Sequence, residues 1–246
     1  MKSIKTKILL CLMFFLLYSS SFICADVTFP GPSGYIHVPS ATTMKNGTLE
    51  FGFHTRFFDT DGGSADNYFT NMGIGFSPIR DLEIGVQKAV DSRRKKEDAD
   101  PDPTVNFKVR LPPMGKDFSE TAIGMLFDTN PNNYHTLYFT ISGVGVGWNF
   151  GGNQGSGVAN YGSYDKAAEK PKDVFIMIGT EVTPGKPGER GYRSHYYIDY
   201  NGDFFSAAWR FKSHRGFWAE LGVQGKSSYS EFYDYKPVFA GIGGIF

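Results

Sequence analysis

The sequence predicts an all-β protein, an antiparallel up-and-down transmembrane β-barrel of about twelve strands, with ten strands as the alternative. Three observations support this fold class. The chain is rich in glycine and aromatic residues, with 30 Gly, 23 Phe and 14 Tyr among 246 residues. After residue 25 it has no apolar stretch as long as a membrane-spanning helix and no useful helical period. Instead, many segments alternate apolar and polar residues with a period of two, as strands with two different faces do.

The chain begins with a segment that is typical of a secretory signal peptide. Several lysines precede the apolar run ILLCLMFFLLY (8–18), and small residues then lead to Ala25. This run is too short for the ~20 residues of a membrane-spanning helix. We therefore predict a leader over 1–25 that is cleaved near Ala25. The alternative is a lipoprotein acylated at Cys24, which lacks the small residue expected before such a cysteine, because Ile23 stands there.

Cysteine content and net charge exclude several kinds of chemistry and one class of partner for the mature chain. Cys11 and Cys24 both lie in the predicted leader, which excludes disulfides and cysteine nucleophiles from the rest. Without the three leader lysines, 22 basic residues face 25 acidic ones, and no nucleic-acid partner is predicted. The five histidines are scattered, so neither a metal site nor a cofactor is predicted.

The clearest strand is the segment TLEFGFHTRF (48–57). One face carries only apolar residues and threonine, whereas the other carries Glu50, Gly52, His54 and Arg56. Its ten residues match a transmembrane strand of about 9 to 11 residues. A half-buried strand of a soluble sandwich would show the same alternation. The number of strands and the loop lengths must therefore separate the two folds.

Twelve strand candidates follow one another at short spacing. They are 48–57, 67–76, 82–90, 104–111, 121–127, 135–142, 144–150, 173–183, 195–200, 203–211, 216–224 and 237–246. Long connections would fall mostly at one end of the barrel, as in outer-membrane barrels. Two features oppose this pattern: Asn201-Gly202 is a tight hairpin turn by its chemistry, and 184–194 is long for the other end. Merging 135–150 into one strand would break the closure.

The segment 26–47 precedes the first strand and has no clear period. It is rich in Pro, Gly, Ser and Thr. We predict an irregular lead-in on the periplasmic side over 26–47, followed by the barrel over 48–246.

Polar residues on the less apolar strand faces are predicted to line the lumen. They are Glu50, His54, Arg56, Glu83, Lys108, Arg110, Glu181, Asp199, Arg210 and Glu220. Acids and bases that face each other across a narrow lumen form charge-assisted hydrogen bonds. The mixture of signs predicts either a plugged barrel or a narrow, weakly selective path.

No catalytic residue is predicted. His54 with Glu50, and His195 with Asp199, lie four positions apart on one strand face, about 13 Å at ~3.3 Å per residue. A catalytic dyad would therefore need partners on other strands. The chain also has neither a Gly-x-Ser-x-Gly elbow nor a His-Glu-x-x-His metal motif.

The last ten residues, PVFAGIGGIF, alternate with a period of two and finish at Phe246. A terminal aromatic residue on the apolar face of a last strand resembles the signal by which bacterial outer-membrane barrels are handed to their insertion machinery. This resemblance implies that machinery as a partner, through the C-terminal strand and Phe246.

Several blocks resemble the YjbH-like outer-membrane proteins, a family encoded with exopolysaccharide genes. They are GPSGYIHVPSATTMKNGTLEFGF (31–53), NFKVRL (106–111), TAIGMLFD (121–128) and YIDYNGDFFSAAWRF (197–211). The resemblance implies an outer-membrane barrel that assists export or anchoring of an extracellular polysaccharide. Larger members of this family have a second barrel-like half that this chain does not contain.

We therefore expect a non-enzymatic barrel of the Gram-negative outer membrane with a structural or narrow-pore role. Its expected partners are outer-membrane lipid, the insertion machinery and a polysaccharide, and not nucleic acid. Two alternatives remain: a lipid-modifying barrel enzyme, and a secreted soluble β-sandwich adhesin.

Overall fold

We obtained the fold as a computed structural model. It describes residues 26–28, 33–35, 37–59, 67–91, 102–112, 120–129, 134–152, 164–165, 170–171, 173–183, 193–202, 205–213, 215–225 and 234–246. The predicted leader over 1–25 lies outside the described residues. Within these ranges, no helix is long and apolar enough to cross a lipid bilayer.

Twelve antiparallel strands form one closed barrel. They are β1 (Leu49–Asp59), β2 (Asn67–Phe76), β3 (Leu82–Asp91), β4 (Thr104–Leu111), β5 (Thr121–Asp128), β6 (His135–Ile141), β7 (Val144–Phe150), β8 (Val174–Val182), β9 (Arg193–Tyr200), β10 (Phe205–Lys212), β11 (Phe217–Gln224) and β12 (Asp234–Ile245). Each strand pairs with its neighbours in sequence, and β12 pairs with β1. The prediction of a twelve-stranded up-and-down barrel is confirmed, and the ten-strand and sandwich alternatives are wrong.

A tight turn divides 135–150 into the separate strands β6 and β7. Ser142 has a positive φ of 51°, and its N–H donates to the Glu120 carbonyl at 2.8 Å. Gly143 completes the turn against the backbone of β8, where an added Cβ would lie 1.9 Å from the Gly179 carbonyl oxygen. Only glycine therefore fits at this position, and the turn keeps the strand number even.

The barrel is apolar outside and mostly polar inside. Among the described residues, 29 large apolar or aromatic side chains are exposed, whereas 26 polar or charged residues and 13 hydrophobic ones are buried. In β1, for example, Leu49 and Phe53 face outward, and Glu50 and His54 are buried in the interior. This arrangement is the reverse of that in a water-soluble protein, which buries its apolar side chains.

Large lumen-facing rings lie across glycines of neighbouring strands. Phe239 of β12 covers Gly222 of β11, and Phe175 of β8 covers Gly147 of β7. An added Cβ would fall 2.1 Å and 2.2 Å from the respective ring atoms. The glycines thus make room for rings inside a narrow barrel, which explains why strands with many glycines are still well packed.

Aromatic side chains cluster at both ends of the outer wall. At the end where β1 begins, Phe246 contacts Phe51 and Phe217, with ring centroids 5.5 Å and 6.0 Å apart. At the opposite end, Trp148 contacts Phe150 at 5.2 Å. Leu49 and Phe246 also exchange two backbone hydrogen bonds, of 2.9 Å and 2.7 Å, at the seam between the first and last strands. Ring contacts and main-chain bonds therefore stabilise the closure of the barrel together.

A charged and filled barrel lumen as the candidate functional site

Residues 33–44, apart from position 36, lie inside the barrel, and we call them the lumen segment. Tyr35, Val38, Ser40 and Ala41 are each exposed by 1% or less. The segment turns on itself, because the N–H of Tyr35 donates to the Val38 carbonyl at 2.9 Å. Its irregular backbone agrees with the Pro, Gly and Ser content of the sequence, but its position inside the barrel was not predicted.

Asp199 of β9 binds the main chain of the lumen segment. Its Oδ2 accepts hydrogen bonds from the N–H groups of His37 at 2.5 Å and Val38 at 3.1 Å. Both bonds are charge-assisted and buried, and such bonds are about twice as strong as neutral ones. Asp199 was among the predicted lumen residues, and the structure adds the main-chain groups that it binds.

Arg210 of β10 makes a second contact with the lumen segment. It also lies at the centre of a cluster of charged and aromatic side chains. Its Nε donates to Glu220 Oε2 at 2.8 Å, and its guanidinium lies 4.8 Å from the Tyr197 ring and 4.6 Å from the Trp218 ring. A terminal guanidinium nitrogen also donates to the Tyr35 carbonyl at 3.3 Å. The cation is therefore held by a carboxylate and two rings, and it uses a further donor to bind the lumen segment.

Glu50 and His54 of β1 extend this cluster across the lumen. Trp218 Nε1 donates to Glu50 Oε1 at 3.0 Å. His54 Nε2 lies 3.8 Å from Glu220 Oε1, and its ring lies 5.3 Å from the Trp218 ring. Residues from β1, β10 and β11 thus meet in one network, although β1 is far from the other two strands in sequence.

Glu83 of β3 and Lys108 of β4 form a separate buried ion pair. Lys108 Nζ lies 3.2 Å from Glu83 Oε2, and both side chains are fully buried. The same oxygen accepts the N–H of Met44 at 3.4 Å, which is the third polar contact with the lumen segment. The segment is therefore held at both of its ends, by β3 and by β9 and β10.

The structure buries eight of the ten predicted lumen residues. They are Glu50, His54, Glu83, Lys108, Glu181, Asp199, Arg210 and Glu220. Arg56 is half-buried, and Arg110 lies at a barrel end, where it pairs with Asp81 and Glu120. Glu181 bonds to His195 Nδ1 at 2.5 Å, and its negative charge acts on the Tyr35 hydroxyl of the lumen segment.

Sequence reasoning missed the aromatic half of the site. Tyr197 and Trp218 surround the Arg210 guanidinium, and Phe239 packs against His37 at 5.9 Å between ring centroids. A signal was present, because Tyr197 lies two positions before Asp199, and a period of two places both on one strand face.

Ser206, His37 and Asp199 lie in contact, but their geometry is not that of a catalytic relay. Ser206 Oγ lies 3.1 Å from His37 Nδ1, and Asp199 Oδ1 lies 3.6 Å from the same nitrogen. A Ser-His-acid triad places the hydroxyl and the carboxylate at opposite ring nitrogens. The contacts orient the ring of His37 in the lumen. In the described part of the chain, no three His, Cys, Asp or Glu residues are grouped to hold a metal ion.

Burial, and after it the positive charge of Arg56, together lower the pKa of His37 to about 4, although the hydrogen bond and charge of Asp199 act to raise it. The groups that face its ring are Asp199 of β9, Ser206 of β10, Phe239 of β12, and Arg56 and His54 of β1. His37 is therefore neutral at pH 7.

We expect acidification from pH 7 to pH 5 to weaken the binding of the lumen segment to the barrel wall, here called docking, about twentyfold. Undocked, His37 has an ordinary pKa of ~6.5, so the undocked state binds more protons between pH 4 and pH 6.5 and gains population as the pH falls through this window. Maleimide labelling of Val38→Cys, normalised to the unfolded chain at each pH, measures the change. The variant His37→Gln should lose this pH dependence, and an unchanged dependence in that variant would contradict the assignment.

These contacts define the class of the protein: a closed twelve-stranded barrel with an apolar outer wall and a charged lumen that holds a segment of its own chain. Neither a scan against models of known protein families nor a search of the curated proteins finds a match to this chain. Its function is therefore inferred from its own residues.

Proposed function

We propose that this protein is an outer-membrane β-barrel of the Gram-negative envelope, with a non-enzymatic, structural or narrow-pore role. The observation that carries the proposal is the apolar outer wall. Ile74, Val86, Ile176, Ile198 and Leu221 lie on five strands around the barrel and are 48% to 59% exposed. An apolar surface that surrounds the whole molecule is unfavourable in water and favourable in lipid.

The backbone supports the same proposal. A bilayer offers no water to free N–H and C=O groups, so a sheet can cross it only as a closed barrel without edges. Strands of 7 to 12 residues include the length that a tilted strand needs to cross the hydrocarbon core. The aromatic clusters at both barrel ends match the position of membrane–water interfaces.

The balance of buried charges in the lumen determines which ions would pass through it most easily. Among the described residues, six acidic side chains are buried against three Lys or Arg side chains. Two acid–base pairs, Glu83 with Lys108 and Glu220 with Arg210, offset each other, and the remaining acids outnumber the remaining base, so the field favours cations over anions. We infer a narrow path with weak cation selectivity.

We further propose that the barrel assists export or anchoring of an extracellular polysaccharide. This part rests on the resemblance of four sequence blocks to the YjbH-like proteins. The proposal includes a leader over 1–25 that directs secretion and a C-terminal strand that binds the insertion machinery together with Phe246, the residue after it. Loss of surface polysaccharide in a strain that lacks the gene, restored by the intact gene, is the direct test.

We expect the purified protein to be heat-modifiable. In detergent, the closed barrel keeps its hydrogen bonds in cold denaturing gel buffer and should migrate at a different position from the boiled, unfolded chain. Circular dichroism of the unheated sample should show β structure. A protein that stays soluble without detergent and shows no mobility shift would contradict the membrane proposal.

A further inference from the structure

The lumen segment is not part of the barrel wall. Every wall strand pairs with a neighbour on both sides without it. The described backbone pairing of the segment joins its own residues, Tyr35 to Val38 and Gly34 to Pro39, and pairs Ser33 and Gly34 with Val27 and Asp26 just before it, in a small sheet apart from the barrel. Removing the segment would therefore break no hydrogen bond of the closed sheet.

A barrel of twelve strands has more interior than its wall residues can fill. Eight strands give an interior that side chains just fill, and 16 to 18 strands leave an aqueous channel. The lumen segment occupies this additional space with small residues such as Ser40 and Ala41, and with Tyr35, whose ring lies against Gly179 of the wall. Without the segment, the lumen would be open to water.

Two buried ion pairs of the wall do not depend on the segment. Arg210 keeps its ion pair with Glu220, and Glu83 keeps its ion pair with Lys108, whether the segment is present or absent. Asp199 differs, because its Oδ2 binds two consecutive N–H groups of the segment. Asp199 thus contributes the most specific contact between wall and segment.

We propose that residues 33–44 are a displaceable plug that closes the lumen, and that Asp199 is the latch that holds the plug. The proposal rests on the membrane-barrel function proposed above. When the plug leaves, the lumen becomes a water-filled path lined by more acidic than basic side chains, and this path conducts cations in preference to anions. The plug thus regulates passage through a wall that does not itself change.

The test compares Asp199→Asn with Glu181→Gln in planar lipid bilayers. Asp199→Asn keeps the shape of the side chain but loses the charge that strengthens both bonds. Glu181→Gln also removes one buried carboxylate whose charge acts on Tyr35 of the plug, but the hydrogen bonds described for Glu181 go to His195 and Thr183, so this variant removes a nearby charge without weakening the bonds that hold the plug. We expect Asp199→Asn to raise the time-averaged conductance about tenfold, because two charge-assisted bonds are weakened, and Glu181→Gln to leave it near the wild-type value.

A second variant, Val38→Asp, leaves every wall residue unchanged. It places a carboxylate on the plug next to Asp199, so like-charge repulsion should expel the plug and raise the conductance even if Asp199→Asn does not fold. Labelling of Ala41→Cys by a bulky maleimide gives an independent readout, because Cys11 and Cys24 are absent from 26–246. Ala41→Cys should react slowly alone and much faster when combined with Asp199→Asn.

The outcomes separate the two proposals. Heat-modifiable variants that conduct and label as the wild type does would overturn the plug and leave the membrane barrel standing. A wild-type protein that already conducts as strongly as the variants would also overturn the plug. Absence of heat-modifiability in the wild type would instead overturn the proposed function.

Discussion

Replacing Arg210 by methionine is expected to lower the free energy of unfolding by about 3–5 kcal/mol. The substitution removes the guanidinium that pairs with Glu220, whose carboxylate is fully buried in the lumen. A buried charge that loses its main partner is strongly destabilising, even though intact buried ion pairs add little stability. Unfolding in urea or guanidinium, detected by the gel mobility of the folded barrel, measures the lost stability as a shift of the transition midpoint.

The double variant Arg210→Met/Glu220→Gln is the matched control. It removes both charges and leaves an amide that can hydrogen-bond within the lumen, so most of the lost stability should return. If the single variant is no less stable than the double variant, the ion pair does not have the role described for it.

Replacing Val86 by arginine is expected to lower the free energy of unfolding in lipid by about 2–4 kcal/mol. Val86 lies in the middle of β3 on the outer wall and is 48% exposed, so a charge there would face the hydrocarbon core. Refolding into lipid vesicles at increasing denaturant concentration measures the effect. On a water-exposed surface, the same change would stay within about 0.5 kcal/mol.

Ile79→Arg provides the comparison at a barrel end. Ile79 is even more exposed, at 60%, but it lies in the turn between β2 and β3. An arginine at the interface costs about 0–1 kcal/mol. Both side chains are exposed, so only the lipid around Val86 would make its substitution more costly. Equal effects of the two substitutions would therefore contradict a lipid-facing wall.

The twelve strands were predictable because their signal is local. Each wall strand has one apolar face, and a period of two can be recognised within a few residues, as in 48–57. Strand ends were less accurate: β12 begins at Asp234 rather than at residue 237, since its pairing with β1 continues past an irregularity between Tyr235 and Phe239. Such pairing depends on a strand at the other end of the chain.

The plug was not predictable, because its signal is not local. The polar groups that the wall binds are main-chain N–H and C=O groups, which almost every residue possesses. His37 and Asp199 are separated by 162 residues, and Tyr35 and Arg210 by 175. Charges at period-two positions indicated which strand faces carry polar groups, but no pattern in 26–47 indicated that this segment fills the space between them.

The same separations determine the order of assembly. Contacts between residues far apart in sequence form late, because closing a long loop costs entropy before any contact repays it. The N–H groups of His37 and Val38 cannot reach Asp199 until β9 is in place, and the carbonyl of Tyr35 must wait for β10. The plug residues, although they lie near the start of the described chain, are thus among the last to reach their final positions, and the charges of the lumen must be paired across the wall before the interior is filled.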